Sequence, residues 1–188
     1  MLVVNEIAKS DFTDPIAIKT QEEAPTEAPH NIQVNTGSDA GELIVTWQIP
    51  LKISWNGELL GYTVNYTEEK QNINYINPNR TISKSITVHG WATTKSIITG
   101  LRKFSKYSIR IRAFNTIAPG PWSAPVIGTT LEGVPEAAPQ NVNCTSLSSQ
   151  SIKISWQEPP LQFHGGIIQG YKVLYRPLAK QRKNELHR

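Results

Sequence analysis

The sequence repeats itself with a period of about 110 residues, and that period decides what the chain can fold into. Pro29, Asn31, Ile32, Val34, Trp47, Pro50, Gly61, Tyr62 and Tyr66 align with Pro139, Asn141, Val142, Cys144, Trp156, Pro159, Gly170, Tyr171 and Tyr175, at offsets of 109 or 110. The opening stretch keeps the same spacing, since Asn5, Ala8, Pro15 and Thr20 meet Asn115, Ala118, Pro125 and Thr130. A repeat of this length is a whole domain rather than one turn of a solenoid.

The spacing predicts one complete unit over residues 29–130. Residues 1–20 then read as the last two strands of an upstream unit, and residues 139–188 as the first three strands of a downstream one. The stretches between, 21–28 and 131–138, read "QEEAPTEA" and "LEGVPEAA", whose Pro, Glu and Ala content reads as short, stiff linkers.

Apolar residues alternate within each unit: Leu43, Val45 and Trp47; Tyr62, Val64 and Tyr66; Tyr107, Ile109, Ile111 and Ala113. Period two with one apolar face is strand patterning. Turn clusters such as "NTGSDAGE" and "TIAPGPWSAP" separate the runs, and no sustained helical period occurs. The expected strands lie near 31–36, 42–48 and 60–67, twice within 80–99, and at 106–115 and 125–130. Seven short strands in about 100 residues predict an all-β sandwich. Its core should hold Trp47, Tyr62, Leu101 and Tyr107, with Trp156 and Tyr171 as the counterparts of Trp47 and Tyr62 downstream. Tyr107 is placed to bond through its hydroxyl to backbone near Leu101, as in a tyrosine corner.

Charge and cysteine content exclude several functions. Net charge is −4 over residues 1–27, +5 over 28–130 and +3 over 131–188, with no dense basic run interleaved with aromatics, so nucleic acid is not an expected partner. A single cysteine, Cys144, permits no internal disulfide and no cysteine zinc site, and its alternation predicts a small core residue. No stretch approaches 18 apolar residues and no leader pattern opens the chain, so this segment carries no membrane insertion of its own. There is no Gly-x-Ser-x-Gly elbow, His-Glu-x-x-His or phosphate-binding glycine loop, and His30, His89, His164 and His187 are scattered. The expectation is a protein without enzymatic activity, cofactor or metal.

These residues resemble the fibronectin type III family. The resemblance rests on the tryptophans Trp47 and Trp156, on "GYTVNY" and "GYKVLY", on "TGLRKFSKY" and on "NTIAPGPWSAP". The variant corner "LRKFSKY", with "VHGWATTKSIITGL" before it and "EGVPEAAPQNVNC" after the domain, is similar to the Down syndrome cell adhesion molecule (Dscam) family. That resemblance implies a non-catalytic, glycosylated extracellular segment of a single-pass plasma membrane receptor of neurons. Such receptors act in homophilic adhesion, axon guidance and neurite self-avoidance. It further implies protein partners, homophilic or heterophilic, and neighbouring fibronectin type III domains. Sidekick, contactin-type proteins and receptor tyrosine phosphatases carry similar domains, and a spacer domain of one of these is the alternative.

Three Asn-x-Ser/Thr triplets, at Asn65, Asn79 and Asn143, are candidate N-glycan acceptors. Arg110 and Arg112, with Lys103 and Lys106 before them, form a candidate basic strip facing Thr63, Asn65 and Thr67, suited to weak binding of sulfated glycans or simply to a solvated sheet face. Trp122-Ser123 is half of a cytokine-receptor Trp-Ser-x-Trp-Ser motif, and no Arg-Gly-Asp occurs. The downstream half-unit lacks the strands needed to bury Trp156, Tyr171 and Ile154, and residues from about 139 onward are expected to be marginal in isolation. The basic tail Lys180–Arg188 reads as a loop between strands cut short, and the opening at Met1, inside a domain, as the start of a fragment.

Overall fold

The computed structural model describes residues 1–69 and 83–177. Its contacts divide the chain into one unit of residues 1–101 with 105–131, and a second of residues 102–104 with 132–188.

Among the described residues of the first unit, seven strands form two antiparallel sheets: β1 (His30–Thr36), β2 (Leu43–Gln48), β3 (Leu59–Glu68), β4 (Ser83–His89), β5 (Lys95–Ile98), β6 (Lys106–Asn115) and β7 (Val126–Thr129). The sheet orders are β1-β2-β5 and β4-β3-β6-β7. Alternation does what it predicted. Leu43, Val45 and Trp47 from one sheet meet Tyr62, Val64, Ile109, Ile111 and Ala113 from the other, all buried, with Leu59, Ile98 and Tyr107 closing the cluster. Trp47 meets Tyr62 edge-on, the rings 5.2 Å apart at 62°. Leu101 packs half-buried against this core, and Tyr107 lies 6.5 Å from the Tyr66 ring.

The repeated Gly-Tyr pair has a steric reason in the first copy. A Cβ on Gly61 would lie 2.1 Å from the Val88 carbonyl oxygen, because β4 runs against β3 there. Gly170, its counterpart, meets nothing within 4 Å. The repeated asparagine has a conformational one: Asn31 and Asn141 adopt φ of 49° and 51°, the left-handed region that asparagine tolerates, each at a bulge that starts its strand. In both copies the amide donates to a glutamine, Asn31 to Gln48 and Asn141 to Gln157, at 2.6 Å each.

Among its described residues the second unit forms one hairpin, β8 (Gln140–Ser148) with β9 (Ser151–Gln157). Three expectations are corrected here. The third strand expected around "GYKVLY" does not form among the described residues, where residues 170–175 have no ladder partner. β3 is held on both sides, by β4 and β6, and the second unit shows no counterpart of either among its described residues. Cys144 is exposed rather than a core residue, since no facing sheet covers it among the described residues. Trp156 and Tyr171 do meet, at 5.3 Å and 63°, but Trp156 is half-buried and Tyr171 is 41% exposed, so they form a ring pair without an enclosed core.

At the amino terminus the hydrogen bonds of the β6–β7 connection recur one period upstream. Asn115 Oδ1 accepts from the amides of Ile117 and Ala118, and Asn5 Oδ1 from those of Ile7 and Ala8. Gly120 N donates to Ala113 O and Ser10 N to Val3 O; Ser123 N donates to Ile111 O and Thr13 N to Met1 O. The exposure of residues 1–20 shows that this local pattern needs no sandwich beneath it.

Candidate interaction surface

Two regions of the first unit present organised polar groups to solvent: the outer face of the β4-β3-β6-β7 sheet, and the end where the chain leads into β1.

On the sheet face, register brings Thr63 opposite Arg112 and Asn65 opposite Arg110. Thr87 and Ser85 continue these rows on β4, and Ser83 stands opposite Thr67 in the row beyond Asn65. The Asn65 amide donates to Ser83 Oγ at 2.7 Å and Ser85 Oγ at 3.1 Å, knitting the two strands through side chains. Glycine at 61 leaves a gap in the next row, and His89 and Phe114, its two register neighbours, have their rings 6.3 Å apart and nearly perpendicular.

The four basic residues do not act as one strip. Arg112 lies with its guanidinium carbon 4.3 Å over the centre of the Trp122 ring, a cation–π stack, and its Nε is buried without a hydrogen-bond partner among the described residues. Lys103 pairs with Glu136 at 2.6 Å. Arg110 and Lys106 remain exposed. Trp122, which the sequence offered only as half of a motif, is thus a structural partner of Arg112. Of the three triplets, Asn65 sits on β3 and Asn143 on β8, while Asn79 lies outside the described residues.

At the other region the stretch 21–28 is bonded into the sandwich. Glu23 N donates to Asn56 O and Thr26 N to Ser54 O, both at 2.9 Å, and Asn56 Nδ2 donates to Ala24 O at 3.0 Å. Asn115, which is buried, ties this strap to two loops: its Nδ2 donates to Glu23 O at 2.6 Å and to Trp55 O at 3.2 Å while its Oδ1 receives two amides of its own turn. The second unit repeats the pattern, with Gly133 N donating to Gly165 O and Glu136 N to Phe163 O. Proline and glutamate content gave no sign of this pairing.

The loop beneath the strap contains a second side-chain echo. Trp55 Nε1 donates to Pro50 O at 2.9 Å, and in the second unit His164, at the same place in the repeat, has its Nε2 2.6 Å from Pro159 O. A carbonyl only accepts, so His164 carries its proton on Nε2 here.

Burial pushes the Tyr62 hydroxyl up to about 12. The nearby Trp47 indole, which makes no hydrogen bond of standard geometry among the described residues, offsets this slightly. The Tyr62 hydroxyl donates to Trp91 O at 2.6 Å.

The sequence profile of the fibronectin type III domain matches residues 27–129 and again 137–187. This chain belongs to the fibronectin type III family. The cell adhesion molecule Dscam1 of Drosophila melanogaster is 39% identical over 173 residues, covering 92% of this chain and 8% of the relative. Protein sidekick-1 of Mus musculus is 36% identical over 179 residues, and DSCAML1 of Homo sapiens 32% over 178, each covering 93% of this chain and 8% of the relative. The fibronectin type III chain thus spans less than a tenth of the length of these curated relatives, two of which are named cell adhesion molecules. Among solved structures, the third fibronectin III domain of human KIAA0343 protein matches with a TM-score of 0.56 at 27% identity, over 68% of this chain and 99% of that domain. The chicken CNTN1 FN1–FN3 domains share the fold, with a TM-score of 0.52 at 22% identity, over 83% of this chain and 50% of theirs. Among the described residues no helix is long and apolar enough to cross a membrane.

Proposed function

We propose that this chain is a non-catalytic adhesion module, part of the extracellular region of a single-pass, Dscam-like receptor whose whole length mediates homophilic contact between neurites. The observation that carries this reading is the extent of the likeness to Dscam1: 39% identity over 92% of the chain runs through the complete domain, both connecting stretches and both partial repeats. A single shared sandwich would speak only for a common fold, whereas matched connections speak for the same kind of array. In such an array the module's part is to hold the chain's direction of approach to each sandwich, through the bonded strap at residues 23–26, and to offer the Arg110 face to a protein partner. With Arg112 stacked on Trp122 and Lys103 paired to Glu136, sulfated glycan binding rests on Arg110 and Lys106 and is weak at most.

The test is bead aggregation. Beads coated with the full ectodomain of the parent receptor should cluster with one another and not with beads carrying an unrelated ectodomain, while beads coated with residues 1–188 alone stay dispersed. Failure of the full ectodomain to cluster would sink the homophilic reading; clustering by the short chain would move the recognition site into it.

A further inference from the structure

We infer that Asn143 accepts an N-linked glycan when this chain passes through the secretory pathway, and that Asn65, which carries the same triplet, does not. The inference rests on the extracellular reading above only for its compartment.

Transfer forms a bond between C1 of the first sugar of a lipid-linked oligosaccharide and the asparagine Nδ2. The lipid pyrophosphate leaves, and the amide nitrogen gives up one proton. The folded protein must therefore tolerate the loss of one N–H at that side chain and a bulky chain in its place.

Asn143 meets both conditions. It is exposed on β8, opposite Ser155 in the hairpin. The repeat shows where it would point in a completed sandwich. Its counterpart is Gln33, exposed on β1 between Ile32 and Val34, which pack toward the core. Thr145, which completes the triplet, corresponds to Asn35, also exposed. Asn143 therefore faces solvent with or without the remaining strands. The strand it sits on is also an outer one, since β1 ends the order β1-β2-β5 and, among the described residues, β8 pairs with β9 alone. An unpaired strand edge invites pairing with other chains, and a glycan there blocks it.

Asn65 meets neither condition. It lies on β3, an interior strand between β4 and β6. Its Nδ2 already donates to two serine hydroxyls, and Arg110 lies across from it. A sugar on that nitrogen would remove a donor from the Ser83–Ser85 pair and stand between the side-chain rows of β4 and β6.

The experiment expresses residues 1–188 behind a heterologous secretion signal in cultured animal cells, with Asn79→Gln throughout. Lysate and medium are both treated with peptide N-glycosidase in heavy-oxygen water, so that retention of a poorly folding chain does not hide transfer. Because the signal is supplied, the outcome does not depend on the adhesion role. The expected result is heavy-oxygen aspartate at position 143 and not at 65, with the glycan mass shift abolished by Asn143→Gln and unchanged by Asn65→Gln. Label at 65, or a signal-cleaved chain with no label at 143 in either fraction, would overturn the assignment.

Discussion

The rings of Trp47 and Tyr62 meet edge-on at 5.2 Å and 62° across the two sheets of the sandwich. One period downstream, Trp156 and Tyr171 meet at 5.3 Å and 63° with no second sheet enclosing them among the described residues. The ring pair is therefore a local consequence of the strand, the loop and the Gly-Tyr that follow each tryptophan, whereas its energetic value comes from what encloses it. Trp47→Ala should cost the first unit about 3–5 kcal/mol, the usual range for removing an enclosed aromatic side chain. Trp156 has no place in that core, and Trp156→Ala should leave the same transition unmoved. Urea unfolding of both variants checks this.

The same contrast should appear in hydrogen exchange. Amides of β6, the strand bonded to β3 and β7 over a buried face, should exchange through unfolding of the unit. Those of β8 and β9, exposed along nearly their whole length, should exchange orders of magnitude faster. Comparable protection in the hairpin would show that the half-unit is stabilised by something beyond its own ladder.

Tyr62 makes stability depend on alkaline pH. Its folded value of about 12 lies above the ordinary value near 10, so the unfolded chain loses the phenolic proton first. The contribution is intact below pH 10 and disappears as pH rises from 10 to 12, by roughly 2–3 kcal/mol at about 1.4 kcal/mol per pH unit. Tyr62→Phe should flatten this part of the pH profile. It should also cost about 1 kcal/mol at neutral pH, because the hydroxyl's bond to Trp91 O is lost. Denaturation midpoints at pH 8, 10 and 11.5 measure both effects.

The sandwich was legible because its two faces differ in chemistry: a period of two over Leu43–Trp47 and Tyr107–Ala113 places those side chains inside with little else to choose. The outward positions of Asn65, Arg110 and Arg112 followed from the same alternation. What escaped was decided by partners distant in sequence. Arg112 finds Trp122 through a turn, Lys103 finds Glu136, and the strap at residues 23–26 is held by Asn115, some 90 positions on. The missing third strand of the second unit failed for a different reason. "GYKVLY" has the pattern of "GYTVNY" but has no strand beside it among the described residues, and pattern alone does not supply the ladder.

Arg112 and Trp122 define a stack that a lysine cannot reproduce, since an ammonium has no plane to lay on the indole. Arg112→Lys should destabilise the first unit by about 0.5–1 kcal/mol, the range for a cation–π contact near the surface. It should also shift the fluorescence of Trp122. Arg110→Lys, at an exposed position in the neighbouring row, should change neither.

The Asn115 side chain carries four hydrogen bonds from a buried position, two given to Glu23 O and Trp55 O and two received from Ile117 and Ala118. Asn115→Asp keeps the accepting oxygen but replaces the donor with a second one, so the Glu23 and Trp55 carbonyls would face a carboxylate. Asn115→Ala removes all four bonds. Leaving buried groups unpaired costs about 1–3 kcal/mol for each that finds no water, so both variants should unfold at lower urea concentration. The aspartate should be the more acid-tolerant of the two, because its protonated form donates one bond again. A purely local turn role would destabilise the β6–β7 connection alone. A role in holding the strap predicts in addition that limited proteolysis cuts within residues 20–26 before it cuts elsewhere in the domain, and that Asn56→Ala, which removes the donor to Ala24 O, reproduces that cleavage in part. Unchanged cleavage in both variants would leave Asn115 a turn residue and assign the strap to its backbone bonds at Ser54 and Asn56.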